Sequence, residues 1–223
     1  MEDEASVTAV NERAELHKTI WRIANDLRGS VDGWDFKSYV LGFLFYRFIS
    51  ENLTEYVNAS EREAILADGG SIDEASAFDY AALSDEVAES DRTGIIKDKG
   101  FFIRPSDLFA NVRARAVSDE NLNETLAQAF RSIEDSAKGS GSESDLRGLF
   151  DDVDVNATKL GNTVAERNAK LVKIMESIGD LPLDHGSAKI DAFGDAYEYL
   201  MTMYASSAGK SGGEFYTPQE VAE

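Results

Sequence analysis

Residues 39–49 of this chain read YVLGFLFYRFI and hold one charged side chain, Arg47. They form the middle of the most apolar stretch in the sequence, residues 36–53, FKSYVLGFLFYRFISENL. A bilayer crossing takes roughly 20 consecutive apolar residues, so this run is too short to be one. A helix that is hydrophobic nearly all round must be covered by other elements of the same fold. The run therefore predicts a central buried helix with Asp35 at its N-terminus as the cap. Everything else in the chain has to supply its neighbours.

The neighbours read as helices. Leu16, Ile20, Ile23 and Leu27 fall at i, i+4, i+7 and i+11, one amphipathic stripe that Gly29 can end, with a turn over residues 30–33. Trp21 and Trp34 flank that turn and are expected to pack in the core. Residues 51–83 are expected to continue as shorter helical pieces. Ser60 is placed to cap one around Ile65 and Leu66, and Gly69-Gly70 to end it. Residues 95–103, IIKDKGFFI, are the one stretch with strand character, read as a small hairpin or an extended segment. Pro105 disfavours helix at Arg104. Ser106 or Asp107 then starts a short helical turn carrying Leu108 and Phe109.

Asn121 with Glu124 has the spacing of a capping box, ahead of a stripe of Leu122, Leu126, Phe130 and Ile133. Residues 139–144, GSGSES, read as a flexible loop. Val164, Leu171, Met175 and Ile178 mark another helix, which Gly179 closes, and residues 181–188 form a linker. The last segment has three parts. Phe193, Tyr197, Leu200 and Tyr204 line one helix face behind Asp191 as N-cap. Residues 206–213, SSAGKSGG, cannot hold a helix. Glu214-Phe215-Tyr216-Thr217-Pro218 then returns as a rigid aromatic turn.

Composition narrows the function. The formal charge is −20, opposite in sign to a free-standing nucleic-acid-binding module, because phosphate neutralisation supplies most of that affinity. The acidic start, MEDEASVTAV, is not a targeting signal. There is no cysteine, which removes disulfides and thiolate chemistry and fits a cytoplasmic location. Several motifs fail on inspection. Gly209-Lys210-Ser211 resembles the end of a phosphate loop, but Tyr204 stands where the first glycine belongs and a helix precedes it. Asp152, Asp154 and Asn156 imitate a calcium loop, with Ala157 and Thr163 in place of its glycine and glutamate. His17 and His185 are the two histidines, and neither has a second ligand nearby; His17 reads as a helix-surface residue. No metal site and no nucleophilic triad emerge.

A resemblance gives these features a frame. GDAYEYLM at 194–201 followed by GKSGGEFYTPQEV at 209–221 is similar to the junction in modification subunits of type I restriction–modification systems. The apolar helix of residues 36–53, FFIRPSDLF at 101–109 and LRGLFDDVD at 146–154 resemble the same family. The resemblance implies an S-adenosylmethionine-dependent DNA adenine-N6 methyltransferase, with a helical N-terminal domain leading through a hinge into the catalytic domain. It places Glu214, Phe215, Tyr216, Thr217, Pro218 and Gln219 against the cofactor. It also implies partners: the specificity and restriction subunits, a second modification subunit, and double-stranded DNA.

The family's Asn-Pro-Pro-Phe/Tyr motif is missing. The prolines here, Pro105, Pro182 and Pro218, follow Arg104, Leu181 and Thr217, so no catalytic residue is assigned. The expectation is a mainly α fold with at most one short β segment. Residues 1–10 form an acidic tail, 11–205 a helical domain, and 206–223 a hinge and the first residues of an α/β methyltransferase domain. The alternative is an acidic helical interaction module without enzymatic activity, mimicking the charge of DNA.

Overall fold

The structure is a computed structural model. It describes residues 35–181 and, outside that span, residues 17, 18, 20, 183, 194, 198 and 199. The chain divides into two compact units: Ser38–Gly179, and a second made of Met1–Lys37 with Asp180–Glu223. Among the described residues there are eight α-helices, three short 3-10 turns and no strand, so the fold is mainly α, as the sequence predicts.

The apolar run lies in α1 (Asp35–Ala67). Its first half is buried nearly all round: Tyr39, Val40, Phe43, Leu44, Tyr46, Ile49 and Ser50 are covered, and so is Arg47. Beyond that only Leu53 and Val57 are buried, one stripe at i, i+4. The break expected near Ser60 does not occur, and α1 continues unbroken to Ala67. Residues 59–67, ASEREAILA, are mostly strong helix formers, and an exposed serine within them costs only a few tenths of a kcal/mol. Gly69 does end the helix as expected: its φ is +86°, and Gly70 N–H reaches back to the Ile65 carbonyl at 2.8 Å.

The short elements come next: α2 (Ile72–Ala77), α3 (Asp85–Ser90), α4 (Arg92–Lys99), α5 (Phe109–Arg115), α6 (Leu122–Ser136), α7 (Glu143–Leu146) and α8 (Val164–Gly179). The stretch expected to be strand material is mostly helix. Residues 92–99 are helix, with Ile95 buried, Lys97 and Lys99 complementing the carbonyl end, and Gly100 at φ +85° closing it. Phe101, Phe102 and Ile103 belong to no helix and pair with no strand. Side chains take over their backbone bonding. Phe102 N–H donates to Ser136 Oγ (2.9 Å), and the Ile103 carbonyl accepts from Tyr80 OH (2.7 Å).

Capping also differs from expectation. Asn121 caps α6 in position but makes no side-chain bond to it; Asp119 accepts from Asn121 N–H and Thr125 Oγ1 instead. True capping boxes form at Ser71/Glu74 and Thr163/Glu166. Hydrogen bonds from backbone N–H groups hold both glutamates below the ordinary carboxylate range. The Ser106 or Asp107 start is a 3-10 turn, Pro105–Asp107, after which α5 begins with its Phe109 N–H bonded to Ser50 Oγ of α1 (3.1 Å). The loop read as flexible is pinned: Ser140 Oγ donates to the Gly100 carbonyl (2.6 Å), and Gly139 N–H to Glu143 Oε2 (2.8 Å).

One pattern explains how so many short pieces hold together. Several polar groups of α1 hold a backbone or side-chain group from elsewhere in the unit. Tyr39 OH donates to the Asp154 carbonyl and Tyr46 OH to the Asp107 carbonyl, both at 2.5 Å. Asn58 Oδ1 accepts from Tyr80 N–H (2.7 Å) and Asn52 Oδ1 from Lys99 Nζ (2.7 Å). Gly42 leaves room for Val153, whose Cγ2 would lie 2.3 Å from any β-carbon at position 42. The predicted stripes of α6 and α8 close the core: Leu122, Leu126, Phe130 and Ile133 are buried, as are Leu171, Met175 and Ile178. Val164, expected on the α8 stripe, is exposed in its first turn.

Candidate functional site

The six residues expected beside a cofactor, Glu214, Phe215, Tyr216, Thr217, Pro218 and Gln219, lie outside the described residues. So do the glycine-rich hinge and most of the helix before it, together with Leu16, Ile23, Leu27, Trp21 and Trp34. Gly194, Glu198 and Tyr199 are described and helical. The Tyr199 ring stacks on His17, with centroids 4.1 Å apart and planes 9° apart. His17 is helical as expected but only half exposed, with one face covered by that ring. Within the second unit this contact joins the first part of the chain to the last.

Among the described residues, the concavities of the helical unit include the following two. One is a cleft of about 210 Å³ lined by residues that include Arg92, Phe102, Arg104 and Asp107. The Arg92 guanidinium sits 5.3 Å over the Phe102 ring and bonds Glu89 at 2.8 Å. Burial pushes the Asp107 carboxyl above its ordinary range, opposed by Arg104. The cleft is smaller than the roughly 300–1,000 Å³ of typical small-molecule sites. The other is broad and shallow and lies beside Lys97, Lys99, Lys138 and the 139–142 loop. Two of its cations are engaged: Lys99 with Asn52 and the Tyr56 ring, Lys138 with Asp135. Among the described residues no group of His, Cys, Asp or Glu has the arrangement of a metal site. The Asp152, Asp154 and Asn156 loop is exposed and closed by its own bonds, Asp154 Oδ1 accepting from Asn156 N–H at 2.9 Å.

The most heavily built polar constellation is at the end of α8, the last residues of the helical unit. A helix leaves its final carbonyls without intrahelical partners and carries partial negative charge there. Arg47 crosses from α1 to meet them: Nη1 donates to the Ile178 carbonyl at 2.7 Å and to the Gly179 carbonyl at 3.3 Å. Its Nε is held by Glu51 Oε1 at 2.7 Å, one turn along α1. Arg113 arrives from α5 on another side. Its Nε and Nη2 donate to Glu176 Oε2 at 3.1 and 2.6 Å. Its guanidinium lies against Gly179, where a β-carbon would fall 2.2 Å from Nη1 and 2.4 Å from Cζ. Two arginines from two helices thus hold the last turn of a third. The arrangement has no nucleophile or acid–base pair and is suited to holding a chain in place.

Part of this site is legible in the sequence. Arg47 stands out as the lone charge in the apolar run, and Gly179 as a helix terminator. Arg113 gave no signal, because the glycine it covers lies far along the chain.

A helical unit that ends in a clamp, followed by a new segment, agrees with what this chain is similar to. Residues 16–178 match the HsdM N-terminal domain family, and residues 188–223 match the N-6 DNA methylase family. The first match covers most of the chain, which therefore belongs to the HsdM family as the N-terminal region of a type I restriction–modification methylase subunit. It is 47% identical over 221 residues to the type I restriction enzyme MpnII methylase subunit of Mycoplasma pneumoniae. That alignment takes in 95% of this chain and 39% of the relative. The fold is similar to the crystal structure of a type I restriction-modification methyltransferase subunit from Streptococcus thermophilus. The TM-score is 0.69 at 32% identity, over 94% of this chain and 42% of the other. The chain thus spans well under half the length of these relatives. Among the described residues no helix is long and apolar enough to cross a membrane.

Proposed function

We propose that this chain is the assembly-forming front of a DNA adenine-N6 methyltransferase, one that moves a methyl group from S-adenosylmethionine to an adenine in DNA. The observation that carries this reading is the succession of the two family matches within one chain, a helical domain at 16–178 and a methylase segment from 188. In this reading Glu214, Phe215, Tyr216, Thr217, Pro218 and Gln219 form one edge of the cofactor site, and residues 206–213 are the hinge leading to it. Phe215 and Tyr216 supply flat apolar faces for an adenosine, Thr217 a hydroxyl, and Pro218 a fixed turn. The target base has to leave the duplex stack, since its amino group cannot be reached there. In this reading the other parts of the pocket, and the motif that grips the adenine, are supplied by sequence outside this chain.

The helical unit contributes no reacting group in this reading. Its role is to join the specificity subunit, the restriction subunit and a second methylase subunit around DNA. With a charge of −20 on the chain, direct contact to phosphates is confined to local basic spots, and the partners carry the rest. The complete methylase subunit is expected to co-purify with its specificity subunit, and deletion of residues 1–190 to abolish that association. Association that survives the deletion contradicts the assembly role.

A further inference from the structure

We propose that Arg47 and Arg113 are positioning residues: they lock the last turn of α8 so that the chain leaves the helical unit from a fixed post. The first premise is location. The compact helical unit ends at Gly179, the helical family match ends at 178, and the methylase match begins at 188. The clamped residues, Glu176, Ile178 and Gly179, are therefore the final ones before the junction.

The second premise is over-determination. Helix ends normally fray, and their last carbonyls turn to water. Here the Ile178 and Gly179 carbonyls receive the guanidinium of Arg47, a residue 8% exposed and anchored by Glu51. On the other side Glu176 is tied to Arg113 through two donors. A β-carbon at Gly179 would overlap the Arg113 guanidinium, the mobile end of a long side chain, so any side chain there displaces the guanidinium from above it. An arginine buried in the most apolar helix of the chain costs desolvation that a nonpolar residue would avoid. Its return is a helix terminus held against unwinding.

The consequence concerns catalysis at a distance. A reacting centre loses rate steeply when its parts shift: about 1 Å of misplacement costs on the order of a hundredfold. A frayed α8 terminus lengthens and loosens the tether between assembly unit and methylase part. The functional half of this inference rests on the methyltransferase reading above; the local locking does not.

The test uses the complete methylase subunit with its specificity subunit, unsubstituted and as Arg47→Met, Arg113→Ala and Gly179→Ala. Arg113→Ala and Gly179→Ala guard against Arg47→Met failing to fold. Hydrogen exchange is followed for peptides covering 171–181 and, as an internal reference, 122–136. Losing hydrogen bonds to a charged group is expected to raise local opening at 171–181 roughly ten- to a hundredfold, with α6 unchanged. Methyl transfer is expected to fall by about ten- to a hundredfold in kcat while the S-adenosylmethionine dissociation constant stays put. Unchanged protection at 171–181, or loss of protection spread evenly over α6 and α8, overturns the clamp. Selective fraying with unaltered kcat overturns the positioning role. If the unsubstituted protein transfers no methyl group, the methyltransferase reading fails, and the exchange comparison still decides whether the arginines lock α8.

Discussion

Phe130→Ala is expected to remove about 3–5 kcal/mol from the stability of the helical unit, the cost of truncating a buried aromatic to a methyl group. Phe130 is 4% exposed and, with Tyr46, ties the aromatic core together. Its ring stacks on Phe150 with centroids 4.2 Å apart and planes 7° apart. Phe43 and Tyr46 meet it edge-on at 5.8 and 5.3 Å. Edge-on and stacked pairs each add about 0.5–1.5 kcal/mol beyond area burial. The loss also reaches the backbone. Tyr46 holds the Asp107 carbonyl and packs edge-on against Phe109, so a cavity at position 130 loosens the start of α5 as well. Burial raises the Tyr46 hydroxyl well above its ordinary range, so it remains a protonated donor throughout neutral and mildly alkaline conditions. Domains of this kind are stable by only about 5–15 kcal/mol, so the variant sits near the threshold of folding. A urea titration should show the midpoint falling with the slope unchanged. A loss under about 1 kcal/mol, typical of a surface change, would mean that Phe130 is not part of a packed core.

Gly100→Ala is expected to cost about 2–4 kcal/mol, and here two effects add. At φ +85° a β-carbon meets the following carbonyl, at about 1–2 kcal/mol for a non-glycine residue. The same β-carbon would lie 2.0 Å from Ser142 Oγ and 2.7 Å from Ser142 Cβ. The hydroxyl can rotate away, but the Cβ atom cannot, so the 139–142 loop has to lift and its bond from Ser140 to the Gly100 carbonyl is lost. Gly94 supplies the control. It lies inside the same helix with nothing within 4 Å of its would-be β-carbon, so Gly94→Ala should stabilise by about 0.5–1 kcal/mol. Thermal midpoints moving in opposite directions for the two substitutions support this account. Midpoints moving the same way contradict it.

What could be read from the sequence follows a physical division. The central helix, the α6 stripe and the α8 stripe were legible because they are long and their burial pattern repeats along the chain. Ile95 and Ile96 misled because β-branched residues favour strands. Lys97, Lys99 and Gly100 carried the competing signal, a basic last turn and a left-handed cap, which decides the conformation once Ile95 has a core to enter. Ser71 with Glu74 and Thr163 with Glu166 have the capping-box spacing in plain view. Asn121 with Glu124 has it too and does not form it, because Asp119 takes the donor first. The pins from Tyr39, Tyr46 and Ser50 were not legible, since their partners lie 115, 61 and 59 residues away. Arg47 was conspicuous, but its bond to Ile178 spans 131 residues, and no local pattern points across that distance. For the cofactor edge the sequence speaks only through resemblance, because a short aromatic turn has no chemistry of its own without the rest of a pocket.

The central proposal is that this chain is part of a machine that methylates adenine. The direct measurement is nucleoside mass spectrometry on unmodified duplex DNA incubated with S-adenosylmethionine, the complete methylase subunit and its specificity subunit. The account predicts N6-methyladenine with the unsubstituted protein and a sharp reduction when Phe215 and Tyr216 are both replaced by alanine. Methyl groups on cytosine alone, or no methylated base with a folded, assembled complex, would contradict it.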